Sequence, residues 1–143
     1  MLRNIPPILS PDLLHTLRAM GHGDDIVIGD ANFPATSMGQ RCHRLDGLLA
    51  TDVLHAILTV MPLDTFVPDP ARVMQVVGDP TAIPDIVGQF QTILDDTADH
   101  PTRIAGLERF SFYDCARQAF AIVQTGEGRL YGNIILKKGV IGT

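Results

Sequence analysis

Apolar positions follow two alternating patterns along the chain, one with helical spacing and one typical of buried strands. The first helical stripe begins after Ser10, a favourable N-cap, and Pro11, and it stops at Gly21. The run 25–29 that follows is apolar on both faces, as in a covered parallel sheet. The chain therefore opens with a predicted helix, a short turn and a buried strand.

The same alternation of helix and strand continues to the end of the chain, after a polar loop predicted over residues 35–47. It predicts one α/β domain over residues 1–143, with a mixed, mainly parallel sheet and flanking helices. The order of the strands does not follow from the pattern. The further predicted elements are a helix from residue 51 or 52 to Pro62, a strand at 71–77, a helix at 84–95, a strand at 102–108, a helix at 111–119 and strands at 120–125 and 132–138.

Composition and charge narrow the classes of partner. The chain has 143 residues, 45% of them hydrophobic, and a formal net charge of −5. This charge argues against nucleic acid or an anionic membrane as partner, because both are bound through clustered Lys and Arg. The two cysteines, Cys42 and Cys115, have no spacing typical of a zinc site. With no apolar window long enough to span a membrane, a cytoplasmic location is predicted.

His22 is the first candidate for chemistry. It lies between two glycines, and a histidine exchanges protons near neutral pH. Asp30 ends the strand that follows, where open α/β sheets usually bind ligands. A metal site of His22 with Asp24, Asp25 and Asp30 is a weaker alternative, because the spacing matches no known ligand signature. A structural histidine and ordinary turn aspartates remain the plain interpretation.

Two further polar groups interrupt apolar segments. Tyr131 and Asn133 close the stretch "GEGRLYGN" and offer a phenol and an amide suited to a polyhydroxylated ligand. A hairpin turn between two strands is the simpler interpretation of this stretch, and its glycines match no phosphate-binding motif. Arg109 and Tyr113 form the other group, in "RFSFYDC". Either could equally be a surface residue.

Three separated segments carry a resemblance to a known family. They are "GHGDDIVIGDANFPATS", "RFSFYDCARQAFAIVQTGE" and "YGNIILKKGV". Together they resemble the fucose mutarotase family, which is related to bacterial D-ribose pyranase. The resemblance runs from about residue 2 to residue 140, and Gly23, "ANFP" and the Tyr131-Gly132-Asn133 triplet favour the fucose branch.

The resemblance implies a fucose mutarotase and ribose pyranase-like fold and a function. Members interconvert the α and β anomers of a pyranose without cofactor or metal, in ring-shaped oligomers, commonly decamers, with sites near subunit boundaries. His22 matches the catalytic histidine of the family. The matching substrate-binding positions are Asp30, Arg109, Tyr131, Gly132 and Asn133, with Asp64 and Tyr113 at further site positions.

The expected reaction is general acid–base ring opening of a small neutral monosaccharide. His22 would deliver a proton to the ring oxygen, while Asp30 orients it or binds a sugar hydroxyl and Tyr131 or Tyr113 moves the other proton. Three alternatives stay open from the sequence: a pyranose–furanose interconversion like that of ribose pyranase, a noncatalytic sugar-binding module, and a metal-dependent hydrolase.

Overall fold

A computed structural model of the chain describes residues 1–142. These residues form a single α/β domain with helices on both faces of one sheet. The helices are α1 (Pro11–Ala19), α2 (Ala35–Met38), α3 (Ala50–Leu58), α4 (Asp85–Thr97) and α5 (Arg109–Gln118); the strands are β1 (Asp25–Gly29), β2 (Cys42–Leu45), β3 (Ala71–Met74), β4 (Ala105–Leu107), β5 (Ala121–Thr125) and β6 (Ile134–Lys137).

The six strands lie in the order β2-β5-β1-β6-β3-β4. Three of the neighbouring pairs are parallel, and β6 runs antiparallel to both β1 and β3. The sheet is therefore mixed and mainly parallel, as the alternating pattern predicted. Because β6 alone is reversed, its first residue lies at the same edge as the last residues of β1, β3 and β5.

Both faces of the sheet are buried, which explains why the central strands are apolar throughout. In β1, Ile26 and Ile28 pack under α1, α3 and α4, while Val27 packs under α5 on the opposite face. Ser10 caps α1 as predicted, by accepting from the Leu13 N–H, whereas α3 begins at Ala50, before the predicted residue 51 or 52, and has no side-chain cap. Glu108 caps α5 by accepting from two N–H groups of its first turn.

Two local predictions are wrong. The polar loop predicted over residues 35–47 contains the short helix α2 and the edge strand β2. The stretch 126–133 is not a hairpin turn, because β1 lies between β5 and β6 in the sheet. Sequence adjacency suggested that β5 and β6 pair, but both pair with β1 instead. The connection consequently passes over the C-terminal end of β1, where Asp30 lies.

Residues 1–142 contain no helix that combines the length and the apolar character needed to cross a bilayer.

Candidate functional site

The C-terminal edge of the sheet brings together the end of β1 and the connection 126–133. Asp30 follows β1, and Asn133 immediately precedes β6, so the two residues lie side by side although they are 103 positions apart. The Asn133 side chain accepts from the Asp30 backbone N–H at 2.7 Å and donates to the Asp30 carboxylate at 2.9 Å. This double contact fixes the carboxylate at the strand end.

Asp30 is a buried carboxylate with unusual electrostatics. It is 5% exposed, and burial raises its pKa above the ordinary value. Hydrogen bonds from the Asn32 N–H at 2.9 Å and from Asn133 oppose that rise, and the nearby Glu127 charge adds to it. Asp30 therefore has acceptor capacity that a ligand hydroxyl could satisfy, in a place where water screens it poorly.

The Tyr131-Gly132 pair has a backbone that few other residues would permit. Tyr131 has a φ of 63°, in the left-handed region. A Cβ on Gly132 would lie 2.7 Å from the Glu127 side chain and 3.4 Å from the Asp30 Cβ, so only glycine allows this approach. The Tyr131 hydroxyl accepts from the Val77 N–H at 3.1 Å, which leaves its own proton free to be donated.

These residues line an open cleft of about 180 Å³. Its lining combines carboxylate, amide and phenol groups with apolar side chains. Such a mixture suits a sugar, which has polar hydroxyls at its rim and C–H groups on its faces. Phe33 is held in place by Tyr113, whose ring centroid lies 5.9 Å away. The lining residues are Asp30, Asn32, Phe33, Met74, Tyr113, Leu130, Tyr131 and Asn133.

Arg109 lies at the same edge of the sheet but outside this cleft. It is the first residue of α5, and its guanidinium lies 4.7 Å from the centre of the Phe110 ring. It lines an adjoining cleft with Val77, the residue that donates to Tyr131. Arg109 therefore reaches the candidate site only along the rim that Val77 and Tyr131 share.

Three residues that hold Asp30 and its neighbours in place were not predicted from the sequence. Gln124, at 3% exposure, donates to the Asp30 carbonyl, and the Glu127 carbonyl accepts from the Ala31 N–H at 2.8 Å. Two donors of the Arg129 guanidinium, each at 2.8 Å, contact the two oxygens of the buried Glu127 carboxylate and lower its pKa. A polar residue inside the apolar run "FAIVQT" was the available signal.

The opposite edge of the sheet carries the histidine. His22 lies in the turn between α1 and β1, and its Nε2 is 3.0 Å from the Asp64 Oδ1. Asp64 itself is buried, whereas 44% of the His22 side chain is exposed. The Phe66 ring, also exposed, lies with its centroid 5.2 Å from that of His22.

Asp64 holds the histidine in one orientation. Its Oδ1 accepts from the Phe66 N–H at 3.0 Å, and this hydrogen bond is the main cause that lowers the Asp64 pKa, with a further contribution from His22. A carboxylate at Nε2 keeps a ring proton on that nitrogen. Nδ1 is then the nitrogen available for proton transfer to a ligand.

His22 and Asp30 do not meet within one chain. They flank the five residues of β1 at opposite ends. The rise along a strand is about 3.3 Å per residue, so the four intervals within β1 already separate its ends by roughly 13 Å. Of the two roles predicted for Asp30, orienting His22 is therefore wrong within a single chain, and Asp64 occupies that position.

The metal alternative also loses its support. Asp24 accepts from the Gly21 N–H at 2.7 Å, as expected of a turn residue, and Asp25 pairs with Arg72 at 2.6 Å. Across residues 1–142, no group of three or more His, Cys, Asp or Glu side chains is placed to hold a metal ion. The four residues of the alternative are divided between both edges of the sheet.

Comparisons with known proteins agree with this architecture. The sequence profile of the RbsD / FucU transport protein family matches residues 3–141. Protein Atu2016, provisionally described as a sugar binding protein, is 41% identical, with a TM-score of 0.94, 99% of this chain covered and 97% of that one. The fucose mutarotase of Streptococcus pneumoniae in complex with L-fucose is 44% identical, with a TM-score of 0.91 and coverages of 99% and 100%.

A more distant structure shares the fold alone. RbsD of Bacillus subtilis, solved with D-ribose, is 21% identical, with a TM-score of 0.73 and coverages of 99% and 100%. The predicted fold, with its ribose pyranase-like topology, is thereby confirmed.

Proposed function

The chain belongs to the RbsD / FucU transport protein family, and we propose that it interconverts the α and β anomers of L-fucose or a closely similar pyranose. The His22–Asp64 pair carries this proposal, because it is an exposed proton-transfer group oriented by a buried carboxylate. The 44% identical fucose mutarotase solved with L-fucose supports the choice of sugar. Residues 1–143 would act as one sugar mutarotase domain.

Two chains would build each site. His22 lies too far from the Asp30 cleft in its own chain, so the histidine edge of one subunit would close the cleft of a neighbour. Both edges expose large apolar side chains suited to such a contact: Phe66 beside His22, and Leu130 and Phe110 near the cleft. A head-to-tail contact between unlike edges forms a ring when it closes, which supports a homo-oligomeric ring such as a decamer.

The chemistry needs two proton transfers and no other bond to the protein. His22, as the imidazolium with its Nε2–H held by Asp64, would give its Nδ1 proton to the ring oxygen as the bond between that oxygen and C1 breaks. At the same time the anomeric hydroxyl passes its proton to the hydroxyl oxygen of Tyr131 or Tyr113, which releases its own proton to solvent, and the anomeric oxygen becomes the aldehyde oxygen. The aldehyde turns about the C1–C2 bond, and the reverse transfers close the ring on the other face. General acid–base catalysis of this kind contributes roughly 10² to 10⁴ in rate.

The cleft residues would hold the sugar during ring opening. Asp30 and Asn133 would bind hydroxyl groups, and Tyr131, with its oxygen already accepting from Val77, would donate to the sugar. Tyr131 and Tyr113 both remain candidates for the second proton transfer. Arg109 would bind at the rim of the site. No step assigned to these side chains calls for a cofactor.

The experiment is NMR exchange between the anomeric protons of equilibrated L-fucose, with and without catalytic amounts of protein. Protein-dependent exchange is expected on L-fucose. D-ribose tests the pyranase alternative in parallel, where pyranose–furanose exchange faster than fucose exchange would favour it. Sugar binding with exchange at the buffer rate would overturn the enzyme proposal in favour of a noncatalytic binding module.

A further inference from the structure

The only two lysines in the chain stand side by side, and both contact the turn that carries His22. Lys137 ends β6 and Lys138 follows it. Lys137 donates from Nζ to the Gly23 carbonyl at 2.9 Å and pairs with Asp25 at 3.0 Å. Neither lysine lines the cleft at the other edge of the sheet.

Lys138 contacts the chain on both sides of His22. Its Nζ donates to the carbonyls of Leu17 at 2.7 Å and Met20 at 2.6 Å, at the end of α1. Its backbone carbonyl accepts from the Gly23 N–H, and its backbone N–H donates to the Asp24 carbonyl, both at 2.9 Å. The five residues 20–24 are thus held at both ends by a single residue.

The ammonium group is well suited to this place. The last carbonyls of a helix have no partner within the helix, and a cation there also meets the negative end of the helix dipole. Burial lowers the pKa of Lys138, and the positive charge of Arg18 adds to that effect. The two carbonyls therefore hold a partly buried cation.

We propose that Lys138 is a positioning residue that fixes the His22 turn so that the imidazole stays against Asp64 with Nδ1 free to face the substrate. The geometry that carries this inference is the bracketing of His22 by four hydrogen bonds of one residue. The backbone bonds of Lys138 hold the residues after His22. Its ammonium ties the end of α1 to the end of β6, whereas the other bonds before His22, from Met20 to Thr16 and between Gly21 and Asp24, stay within the helix and the turn.

Lys138→Met tests this inference, because it keeps the apolar stem and removes the donors. Ser10→Ala is the matched control: it removes the cap of the same helix at its other end, without touching the turn. The first measurement is the set of ¹⁵N shifts of the His22 ring, assigned with His22→Gln, which reports the nitrogen that carries the proton. At a pH where the ring is neutral, we expect its proton on Nε2 in the wild type and in Ser10→Ala, and a mixture of the two tautomers in Lys138→Met.

The second measurement is anomer exchange, which rests on the proposed function. Lys138→Met is expected to lower kcat by on the order of tenfold, with KM within about twofold, because the acid is misplaced while the cleft is intact. Lys138→Arg, which restores a cationic donor, should recover part of kcat. Wild-type ring spectra and kcat in Lys138→Met, or the same losses in Ser10→Ala, would overturn the inference.

The two measurements test the positioning role and the proposed function independently. A wild-type protein without anomer exchange would refute the proposed function, and the ring spectra would still decide the positioning role. Should Lys138→Met not fold, Lys138→Gln, with one N–H donor on a shorter stem, takes its place with the same expected and contradicting results.

Discussion

The two edges of the β1/β6 pair differ in how their polar groups are held. At the C-terminal edge, Asp30 is buried, and Asn133, Gln124 and the backbone of the connection 126–133 surround it. At the opposite edge, His22 lies half exposed with one side-chain partner, Asp64. Under the proposed function, the first edge would hold the sugar and the second would present the group that transfers a proton. This contrast is why the proposal needs both edges.

The largest expected effect lies at the histidine edge. His22→Ala should lower anomer exchange on L-fucose by about 10² to 10⁴, because the acid is lost while the cleft is intact. Anomeric-proton exchange measures the rate, and sugar binding by titration should change little. His55→Ala, at an exposed histidine on α3, is the control. Near wild-type exchange in His22→Ala would remove the histidine from the mechanism.

Asp30→Ala should weaken sugar binding at the other edge. The loss of a charged acceptor for sugar hydroxyls, about 1.5–3 kcal/mol, corresponds to a dissociation constant raised by roughly tenfold to a hundredfold. Calorimetric titration with L-fucose measures it. Unchanged affinity would show that the sugar does not bind at the cleft.

Gly132→Ala should damage the cleft through packing. The new Cβ would lie 2.7 Å from the Glu127 side chain, and such overpacking costs about 1–3 kcal/mol. Urea unfolding and sugar titration should both show the loss. Gly128→Ala is the matched control, because its Cβ would meet nothing within 4 Å. Equal effects of the two substitutions would contradict the close approach.

The two aspartates should respond to pH with opposite signs. Asp64 has a lowered pKa, so its contribution to stability is present above the ordinary aspartate pKa and is lost as pH falls through the folded-state value. Asp30 has a raised pKa, so its stabilising contribution is present in acid and is lost as pH rises through the folded-state value.

Urea unfolding of the Asn variants at pH values from about 3 to 7 measures this difference. At neutral pH, Asp64→Asn should lower the free energy of unfolding by about 1 kcal/mol or more, and the deficit should shrink in acid. At neutral pH, Asp30→Asn should leave the free energy of unfolding unchanged or raise it relative to the wild type. In acid, the variant should compare less favourably with the wild type. A parallel pH dependence in both variants would contradict the assigned electrostatics.

The sequence predicted the helices and strands better than it predicted which strands pair in the sheet. Apolar periodicity and caps such as Ser10 predicted the helices and strands other than α2 and β2, because these signals are local. It could not show that β1 lies between β5 and β6, since strand order depends on long-range packing. For this reason the connection 126–133 was mistaken for a hairpin, and its closure over Asp30 was not foreseen.

Local pattern pointed to Asp30, Tyr131 and Asn133, which line one cleft, whereas Asp64 entered only through the family resemblance. The predicted strand already put His22 and Asp30 at its opposite ends. The contacts of His22 with Asp64 and of Asp30 with Asn133 were not foreseen, because each joins residues far apart in sequence. The support from Gln124 and Glu127 was also missed, since it depends on burial that sequence spacing does not reveal.

The central claim, that two chains share each site, is tested most directly by mixing two impaired variants, at a sugar concentration well below the dissociation constant of Asp30→Ala. His22→Ala and Asp30→Ala chains are co-refolded in equal amounts, and anomer exchange on L-fucose is compared with each variant alone. If each site takes its histidine edge and its cleft from different chains, random assembly leaves both halves intact in about one site in four, from one half times one half, and activity returns. Exchange that stays at the level of the separate variants would contradict the shared site.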